Sequence, residues 1–172
     1  MLKALTANIF SYWKPKLDTL LPIEHLTMII ERHGDIFDSK DNLGHCVSQD
    51  FAMFKGIAKG FKNRFGIPTK RVEVGEFAVV QDVAHNSAVG WQQEREIYFL
   101  VTKKRFFHKP KIQNIRNSLL SLRQHMIANG IKSVSLPRIG TGLDKQKWSR
   151  IKEIIINVFS SAPDIIVTIY NL

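Results

Sequence analysis

Residues 111–144, KIQNIRNSLLSLRQHMIANGIKSVSLPRIGTGLD, decide the fold class. Apolar residues recur there at the three- and four-residue spacing of one helix face: Ile112, Ile115, Leu119, Leu122 and Met126. Gly130 stands where a glycine commonly ends a helix, so the pattern predicts a helix over 111–129. The apolar run 134–136 predicts a short strand, and a loop with two glycines follows it. A helix, a strand and a glycine-containing loop in that order indicate an α/β domain.

The same alternation extends in both directions along the chain. Further strands are predicted at 28–30, 43–47, 76–83 and 96–102, with a turn at Gly34 and Asp35 after the first. We expect the strands at 76–83 and 96–102 to pair, joined by a polar, mobile connection. Helices are predicted over 52–64 and around Trp148, and the run DIIVTIY at 164–170 predicts a terminal strand buried on both faces. The expected architecture is one mixed sheet with helices on both faces.

Length and composition limit the class of protein. A chain of 172 residues is one ordinary domain that needs no disulfide or metal to fold, and Cys46 has no cysteine partner. No apolar run approaches the roughly 20 residues of a membrane-spanning helix, so we expect a soluble protein without a membrane partner. Residues 1–28, interrupted by Pro15 and Pro22, are predicted to be a partly ordered N-terminal extension, and 29–172 the domain.

Positive charge is concentrated in two segments. The formal net charge is +10, and neither 51–72 nor 97–143 contains an aspartate or glutamate. Such basic segments attract polyanions, and a nucleic acid or a phosphorylated small molecule would fit equally well. A basic surface that only keeps the protein soluble, without binding a ligand, would explain the charge equally well.

The chain lacks the sequence patterns of metal sites and of the common nucleotide-binding loops. The six histidines have no metal-ligand spacing, so no metal and no cofactor is implied. The chain contains neither a Walker-type phosphate loop nor the glycine pattern of dinucleotide-binding enzymes. Ordinary kinases, NTPases and nicotinamide enzymes are therefore disfavoured.

The loop PRIGTGLD, residues 137–144, is a candidate anion site. Its glycines allow backbone N–H groups to face a ligand, and it lies between a strand and a helix predicted to begin near Asp144. The alternative is a plain connecting turn in which Asp144 caps that helix. Gly56, Ile57 and Ala58, at the start of another predicted helix, form a second candidate.

Several separated motifs occur in an order that resembles the macro domain family. They are GDIF at 34–37, HCVS at 45–48, GIA at 56–58, LVTKK at 100–104, HKP at 108–110, PRIGTGLD at 137–144 and the final YNL. More narrowly, the chain is similar to the terminal ADP-ribose protein glycohydrolases, small macro domains also described as O-acetyl-ADP-ribose deacetylases. The resemblance runs from about residue 29 to residue 172 and implies a three-layer fold.

The resemblance implies that the chain binds ADP-ribose and acts on mono-ADP-ribosylated proteins. Asp35 would accept from the adenine amino group with Ile36 beside it, and Ser48 matches a serine of the family site. Leu172 would line the adenosine end. The glycine-rich loop would wrap the diphosphate and distal ribose through Arg138, Ile139, Gly140, Thr141, Gly142 and Leu143, with Gly56, Ile57 and Ala58 as the second loop.

Lys103 and Asp144 match the catalytic pair of this branch. In the family mechanism, the lysine attacks the anomeric carbon of the distal ribose and releases a protein carboxylate. The aspartate transfers protons and helps to resolve the covalent adduct. Without the resemblance, Lys103 would be an ordinary solvated lysine at a strand end. His45 and Cys46 are interpreted as packing residues of a strand.

One departure from the family pattern concerns Phe54 and Lys55, which replace two small residues of a Gly-Ala-Gly-Ile-Ala loop. Phe54 could narrow the cleft next to the distal ribose, whereas Lys55 could contact the diphosphate. The alternative function is therefore a catalytically weak ADP-ribose reader that also binds nucleic acid through its basic surface. We expect a monomer in the nucleus and cytoplasm, with a mitochondrial location as the alternative.

Overall fold

The central feature of the computed structural model, which describes residues 28–86 and 91–171, is a six-stranded sheet. Its strands are β1 (Met28–His33), β2 (Asn42–Ser48), β3 (Phe77–Asn86), β4 (Trp91–Lys103), β5 (Ser133–Pro137) and β6 (Ile166–Asn171), in the spatial order β1-β6-β5-β2-β4-β3. Every neighbouring pair is parallel except β3 and β4, which are antiparallel. The mixed sheet expected from the sequence is confirmed.

Among the described residues, three α-helices cover the sheet: α1 (Gly56–Phe65), α2 (Ile112–Ala128) and α3 (Trp148–Phe159). Helices α2 and α3 pack with Tyr98 and Leu100 in one apolar cluster. Phe61 of α1 packs with Ile97 and Phe99 in a second cluster. Because successive residues of β4 point to opposite faces, the two clusters lie on opposite sides of the sheet. The chain therefore forms the predicted three layers.

Three boundaries differ from the sequence prediction. Helix α1 begins at Gly56 rather than at residue 52, because Phe51 and Met53 adopt left-handed backbone conformations with φ of 46° and 42° that a helix excludes. Helix α3 begins at Trp148, so Asp144 is not its cap. Strands β3 and β4 pair as far as Asn86 and Trp91, so the predicted mobile connection is strand on both sides of residues 87–90, which are outside the described part of the chain.

Two sequence predictions concern residues outside the described part of the chain. Of the predicted extension at 1–28, the structure describes only Met28, which begins β1. Leu172 is also outside the described residues. Of the helices that are described, none combines the length and apolarity needed to cross a membrane.

Candidate functional site

A large cleft crosses the edge of the sheet where the five parallel strands end. Its volume is about 1090 Å³, and it is lined by the residues at or directly after the carboxyl ends of β1, β6, β5, β2 and β4. Strands in a sheet are about 4.8 Å apart, so the ends of β1 and β4 are separated by four intervals, or about 19 Å. The edge formed by strand carboxyl ends is where open α/β sheets bind ligands. The cleft is therefore long, with two distinct ends.

At the first end, a short 3-10 helix (Ile36–Asp38) follows β1. Asp35 caps it by accepting a hydrogen bond from Phe37 N at 3.0 Å through Oδ1, and the exposed carboxylate remains open to the cleft. Ile36 is buried and lines the same wall. This end therefore combines a hydrogen-bond acceptor with an apolar surface. A planar heterocycle that carries an amino group can use both, because its amino group donates to the acceptor and its ring packs on the apolar surface.

In the middle of the cleft lies the loop between β5 and α3, residues 138–147. Gly140 has a φ of 73°, which favours glycine, and its carbonyl accepts from Gln146 N at 2.9 Å. Thr141 donates through Oγ1 to Arg138 O at 2.7 Å, so the turn is closed by its own hydrogen bonds. The side chain of Ile139 is buried in the α2–α3 cluster, which leaves its backbone for the cleft.

Arg138 lines the cleft, but its guanidinium is engaged by other groups. Nη2 lies 3.1 Å from Glu31 Oε2, and the group stacks over Trp148 at 5.3 Å from the ring centroid. Lys152 contacts the other oxygen of Glu31 at 2.6 Å. Hydrogen bonds from Lys152 and Arg138 lower the pKa of Glu31. This cluster anchors the glycine-rich loop to β1 and α3.

The start of α1 forms the opposite wall through Gly56, Ile57 and Ala58. Lys55 occupies the cap position without a side-chain hydrogen bond to the first turn. The N–H groups of a first helical turn have no partner within the helix, and they carry the positive end of its dipole. The anion-binding helix end predicted near Asp144 is thus supplied by α1 instead.

At the second end of the cleft, Lys103 and Asp144 form an ion pair. Lys103 is the last residue of β4, and Asp144 follows the glycine-rich loop, so two elements 41 residues apart converge here. Lys103 Nζ lies 2.6 Å from Asp144 Oδ1, and the two side chains are only 13% and 14% exposed. The interpretation of Lys103 as a solvated lysine is therefore wrong, because its ammonium is shielded and held by a carboxylate.

Cys46 lies near this pair, and His45 precedes it in β2. Neither acts as an ionised group at neutral pH. Burial lowers the pKa of His45 to about 3, and its ring stacks on Phe61 with centroids 3.9 Å apart. Burial raises the pKa of the Cys46 thiol to about 12, and the charge of Asp144 adds to this effect. Cys46 lines the cleft as a neutral thiol. The packing interpretation of both residues agrees with this geometry.

Ser48 ends β2 at an irregularity in its pairing with β4. Its hydroxyl donates to Asp50 Oδ1, and Asp50 Oδ2 accepts from Phe106 N at 3.2 Å. Burial favours a higher pKa for Asp50, but hydrogen bonds from Ser48 and from the N–H groups of Phe106 and Ala52 outweigh it and lower the pKa. Asp50 therefore joins the ends of β2 and β4 at the second end of the cleft.

Large apolar side chains are exposed around that end. Phe54 is 63% exposed, Phe106 54% and Leu143 72%, and all three line the cleft. The Phe54 and Phe106 rings meet edge to face at 5.8 Å between centroids. Phe54 thus leans on Phe106 at the rim, and Lys55 is exposed in the lining beside it. We call the Phe54–Phe106 pair the aromatic rim.

The structure brings together every predicted site residue that it describes. Lys103, Asp144 and the predicted binding residues other than Leu172 all line the one cleft. Sequence reasoning missed Met53, Phe106, Tyr170 and Asn171, which line it as well. The signal for Phe106 was its position three residues after Lys103 in an acid-free segment. Among the described residues, no three His, Cys, Asp or Glu side chains are grouped to hold a metal ion.

Comparison with known proteins gives relatives that span most of the chain. An ADP-ribose glycohydrolase OARD1 from Bos taurus is 40% identical over 145 residues, which are 81% of this chain and 88% of that protein. The protein of the same name from Homo sapiens is 39% identical over the same shares. No family model matches the chain.

Solved structures share the fold. The macrodomain of Mycobacterium tuberculosis DarG superimposes with a TM-score of 0.67 at 23% identity, covering 84% of this chain and 98% of that one. Thermosipho africanus DarTG in complex with ADP-ribose gives a TM-score of 0.69 at 22% identity, covering 82% of this chain and 41% of that one. At these identities the likeness concerns the arrangement of strands and helices.

Proposed function

Because the chain belongs to the macro domain family, in the terminal ADP-ribose glycohydrolase branch, we propose that it binds ADP-ribose and hydrolyses ADP-ribosyl esters. One substrate is a protein that carries mono- or terminal ADP-ribose on a glutamate or aspartate side chain. The other is O-acetyl-ADP-ribose. The observation that carries the proposal is the shielded Lys103–Asp144 pair at 2.6 Å in a cleft about 19 Å long between strand ends. Relatives named as glycohydrolases support the same reaction.

The ligand is proposed to lie along the cleft from β1 to β4. Adenine sits at the first end, where Asp35 offers a carboxylate oxygen and Ile36 an apolar contact. The diphosphate lies between the start of α1 and the glycine-rich loop, where backbone N–H groups attract an anion. The distal ribose then reaches Lys103 and Asp144. This order places the ester at the second end.

The first step is proposed to break the ester. The Asp144 carboxylate takes a proton from the Lys103 ammonium, which frees the electron pair on Nζ. Nζ bonds to the anomeric carbon, and the bond from that carbon to the carboxylate oxygen breaks, so the substrate carboxylate leaves with the electron pair. Asp144 passes its proton to the departing carboxylate and is again ionised. A covalent Lys103–ADP-ribose adduct results.

The second step regenerates the protein. The Asp144 carboxylate accepts a proton from a water molecule, and the water oxygen bonds to the anomeric carbon. The bond to Nζ breaks, its electron pair returns to the nitrogen, and the resulting amine takes the proton from Asp144. Free ADP-ribose leaves, and the ion pair is restored. The low exposure of both side chains limits competition from bulk solvent at this position.

The alternative prediction, a weak reader that binds nucleic acid, gains no support from these relatives. It stays a prediction from charge, as do the monomeric state and the nuclear, cytoplasmic or mitochondrial location. Phe54 lines the cleft at its rim and is mostly solvent-exposed, so it leaves room for a ligand at the centre. The enzyme assignment therefore takes precedence.

The proposal is tested by incubating the protein with a glutamate-modified protein and with O-acetyl-ADP-ribose. Free ADP-ribose should appear from both with wild-type protein, and Lys103→Ala should release none from the glutamate-modified protein. Lys59→Ala is the matched control, since Lys59 is an exposed lysine of α1 that is outside the cleft lining. Equal release by wild type and Lys103→Ala would reject the mechanism, and wild type that binds ADP-ribose without releasing it would indicate a reader.

A further inference from the structure

The aromatic rim is an exposed apolar pair at the same end of the cleft as Lys103 and Asp144. Phe61 and Phe99, by contrast, are fully buried against the sheet. Phe54 and Phe106 instead expose more than half of their surfaces while lining the cleft. Exposed apolar surface at the mouth of a cleft indicates contact with a partner or a substrate.

The rim is held in place by its surroundings. Phe106 N is fixed to Asp50, and Gln49 N donates to Lys103 O at 2.8 Å, so residues 49–50 tie the rim to the catalytic strand end. Met53, buried with a φ of 42°, turns the chain so that Phe54 projects outward, and Lys62 lies 5.6 Å from the centre of the Phe54 ring. The exposure of the two rings is therefore built into the fold.

The position of the rim defines which part of a substrate meets it. Phe106 is three residues beyond Lys103, so the two Cα atoms are at most about 10 Å apart. In the proposed reaction the carboxylate that leaves from the anomeric carbon belongs to the modified protein. The rim consequently faces the polypeptide that carries the ester rather than the ADP-ribose itself.

Charge next to the rim favours an acidic polypeptide. A second hollow of about 480 Å³ is lined by Arg71, Lys104 and Arg105 together with Asp50 and Glu73. Asp50 is engaged by Ser48 and Phe106 and is also attracted to Arg105, and Glu73 accepts from Gln49. Arg71 and Lys104 are then the cations that a ligand can meet. Lys103 faces the cleft and Lys104 the hollow, which makes the two surfaces neighbours. Acidic residues near the modified side chain would be attracted there.

We propose that Phe54 and Phe106 are specificity-determining residues that hold an apolar side chain adjacent to the modified carboxylate of an acidic polypeptide. This inference rests on the proposed function and names the substrate class of the same site. The two rings offer a flat apolar wall, and a contact of this kind distinguishes substrates by their flanking residues. O-acetyl-ADP-ribose has no flanking residues and gains nothing from the rim.

The test compares two peptides of equal charge, each with one ADP-ribosylated glutamate, flanked by leucine in one and by serine in the other. Wild type should cleave the leucine peptide with a kcat/KM about tenfold higher, mostly through KM. The Phe54→Ala/Phe106→Ala variant should lose this preference and keep its rate on O-acetyl-ADP-ribose. Phe54→Leu/Phe106→Leu should restore part of it, because an apolar surface returns.

Phe107→Ala is the matched control. Phe107 is 69% exposed and contacts Phe106, but it is not part of the cleft lining. Its substitution should leave the leucine preference unchanged. Equal use of both peptides by wild type, or a preference that survives in the double alanine variant, would overturn the inference.

Two further results would overturn the inference in distinguishable ways. A single-stranded oligonucleotide that competes with the peptides for wild type, and not for the double variant, would make the rim a base-stacking surface rather than a polypeptide contact. Wild-type protein inactive on O-acetyl-ADP-ribose and on both peptides would remove the proposed function, and the inference with it.

Discussion

The two ends of the cleft differ in the kind of interaction that they offer a ligand. At the β1 end, Asp35 and Ile36 present an exposed acceptor and a buried apolar wall, which suit binding. At the β4 end, Lys103 and Asp144 are paired at 2.6 Å with little exposure, which suits proton transfer. Because the two ends lie about 19 Å apart, their side chains share few contacts. Binding and bond cleavage should therefore respond separately to substitution.

Asp144→Asn should produce the largest change, a loss of hydrolysis without a matching loss of binding. The amide keeps the size of the side chain but cannot accept a proton from Lys103, so kcat for ester hydrolysis should fall about 10²- to 10⁴-fold. Calorimetry on the same sample should show ADP-ribose affinity within a few-fold of wild type. Loss of both together would mean that the two ends do not act separately.

Acid should lower the stability of the whole domain, and with it both ends of the cleft, through His45 of β2. Its pKa falls from 6.5 in the unfolded chain to about 3 in the folded protein, so between these values the unfolded chain binds a proton that the folded protein does not. The free energy of unfolding should fall by about 1.4 kcal/mol per pH unit, or about 3 kcal/mol by pH 4. Chemical denaturation at several pH values measures this loss.

His45→Phe should remove that part of the acid sensitivity, since neither ring nitrogen of His45 has a hydrogen-bond partner among the described residues. His33→Gln, at an exposed position, serves as the control. If the free energy of unfolding of His45→Phe falls with pH between 6.5 and 4 as steeply as that of wild type, another group causes the loss of stability in acid.

Asp35→Ala should affect the first end alone. Loss of a charged acceptor costs about 1.5–3 kcal/mol, so ADP-ribose affinity should fall about 10- to 100-fold while kcat at saturating substrate changes little. Asp38→Ala is the control, because Asp38 belongs to the same turn and is outside the cleft lining. A large fall in kcat with unchanged affinity would place adenine elsewhere.

Asp50→Ala should have a smaller effect, at the second end of the cleft. Its hydrogen bonds to Ser48 and to Phe106 N would be lost, which should lower stability by about 1–2 kcal/mol and leave ADP-ribose affinity unchanged. The pKa of Asp50 is lowered, so its stabilisation is present above its ordinary value of 3.8 and is lost as pH falls further. Denaturation at pH 7 and pH 3 measures both.

Asp164→Ala provides the contrast for that experiment. Asp164 makes an exposed ion pair with Lys132 at 3.3 Å, so its removal should change stability by less than about 0.5 kcal/mol. Equal effects of the two substitutions would show that Asp50 does not join the ends of β2 and β4 energetically.

The sequence predicted the sheet and α2 because periodic apolar runs determine which face is buried. Helix α2 begins at Ile112 and ends at Ala128, close to the predicted 111–129. The start of α1 was wrong because periodicity does not reveal the left-handed conformations of Phe51 and Met53. Helix α3 begins after residues 145–147 because Lys145, with a φ of 54°, interrupts the chain beyond Asp144.

The candidate site was only partly predictable. Motifs placed Lys103 and Asp144 on separate strand ends, but their 2.6 Å contact depends on β4 and β5 being separated by β2 alone in the sheet. The contact of Phe54 with Phe106 joins residues 52 positions apart, and local patterns carry no information about such pairs. Solvent exposure of the rim follows from the same long-range packing.

The most direct test of the central claim is detection of the covalent adduct on Lys103. Wild-type protein is mixed with a glutamate-modified substrate, quenched within one turnover, digested and analysed by mass spectrometry. The mechanism predicts one ADP-ribosyl group on Lys103, absent from Lys103→Ala and present in Lys104→Ala. An adduct on Lys104, or release of ADP-ribose without Lys103, would contradict the assignment of Lys103 as the nucleophile.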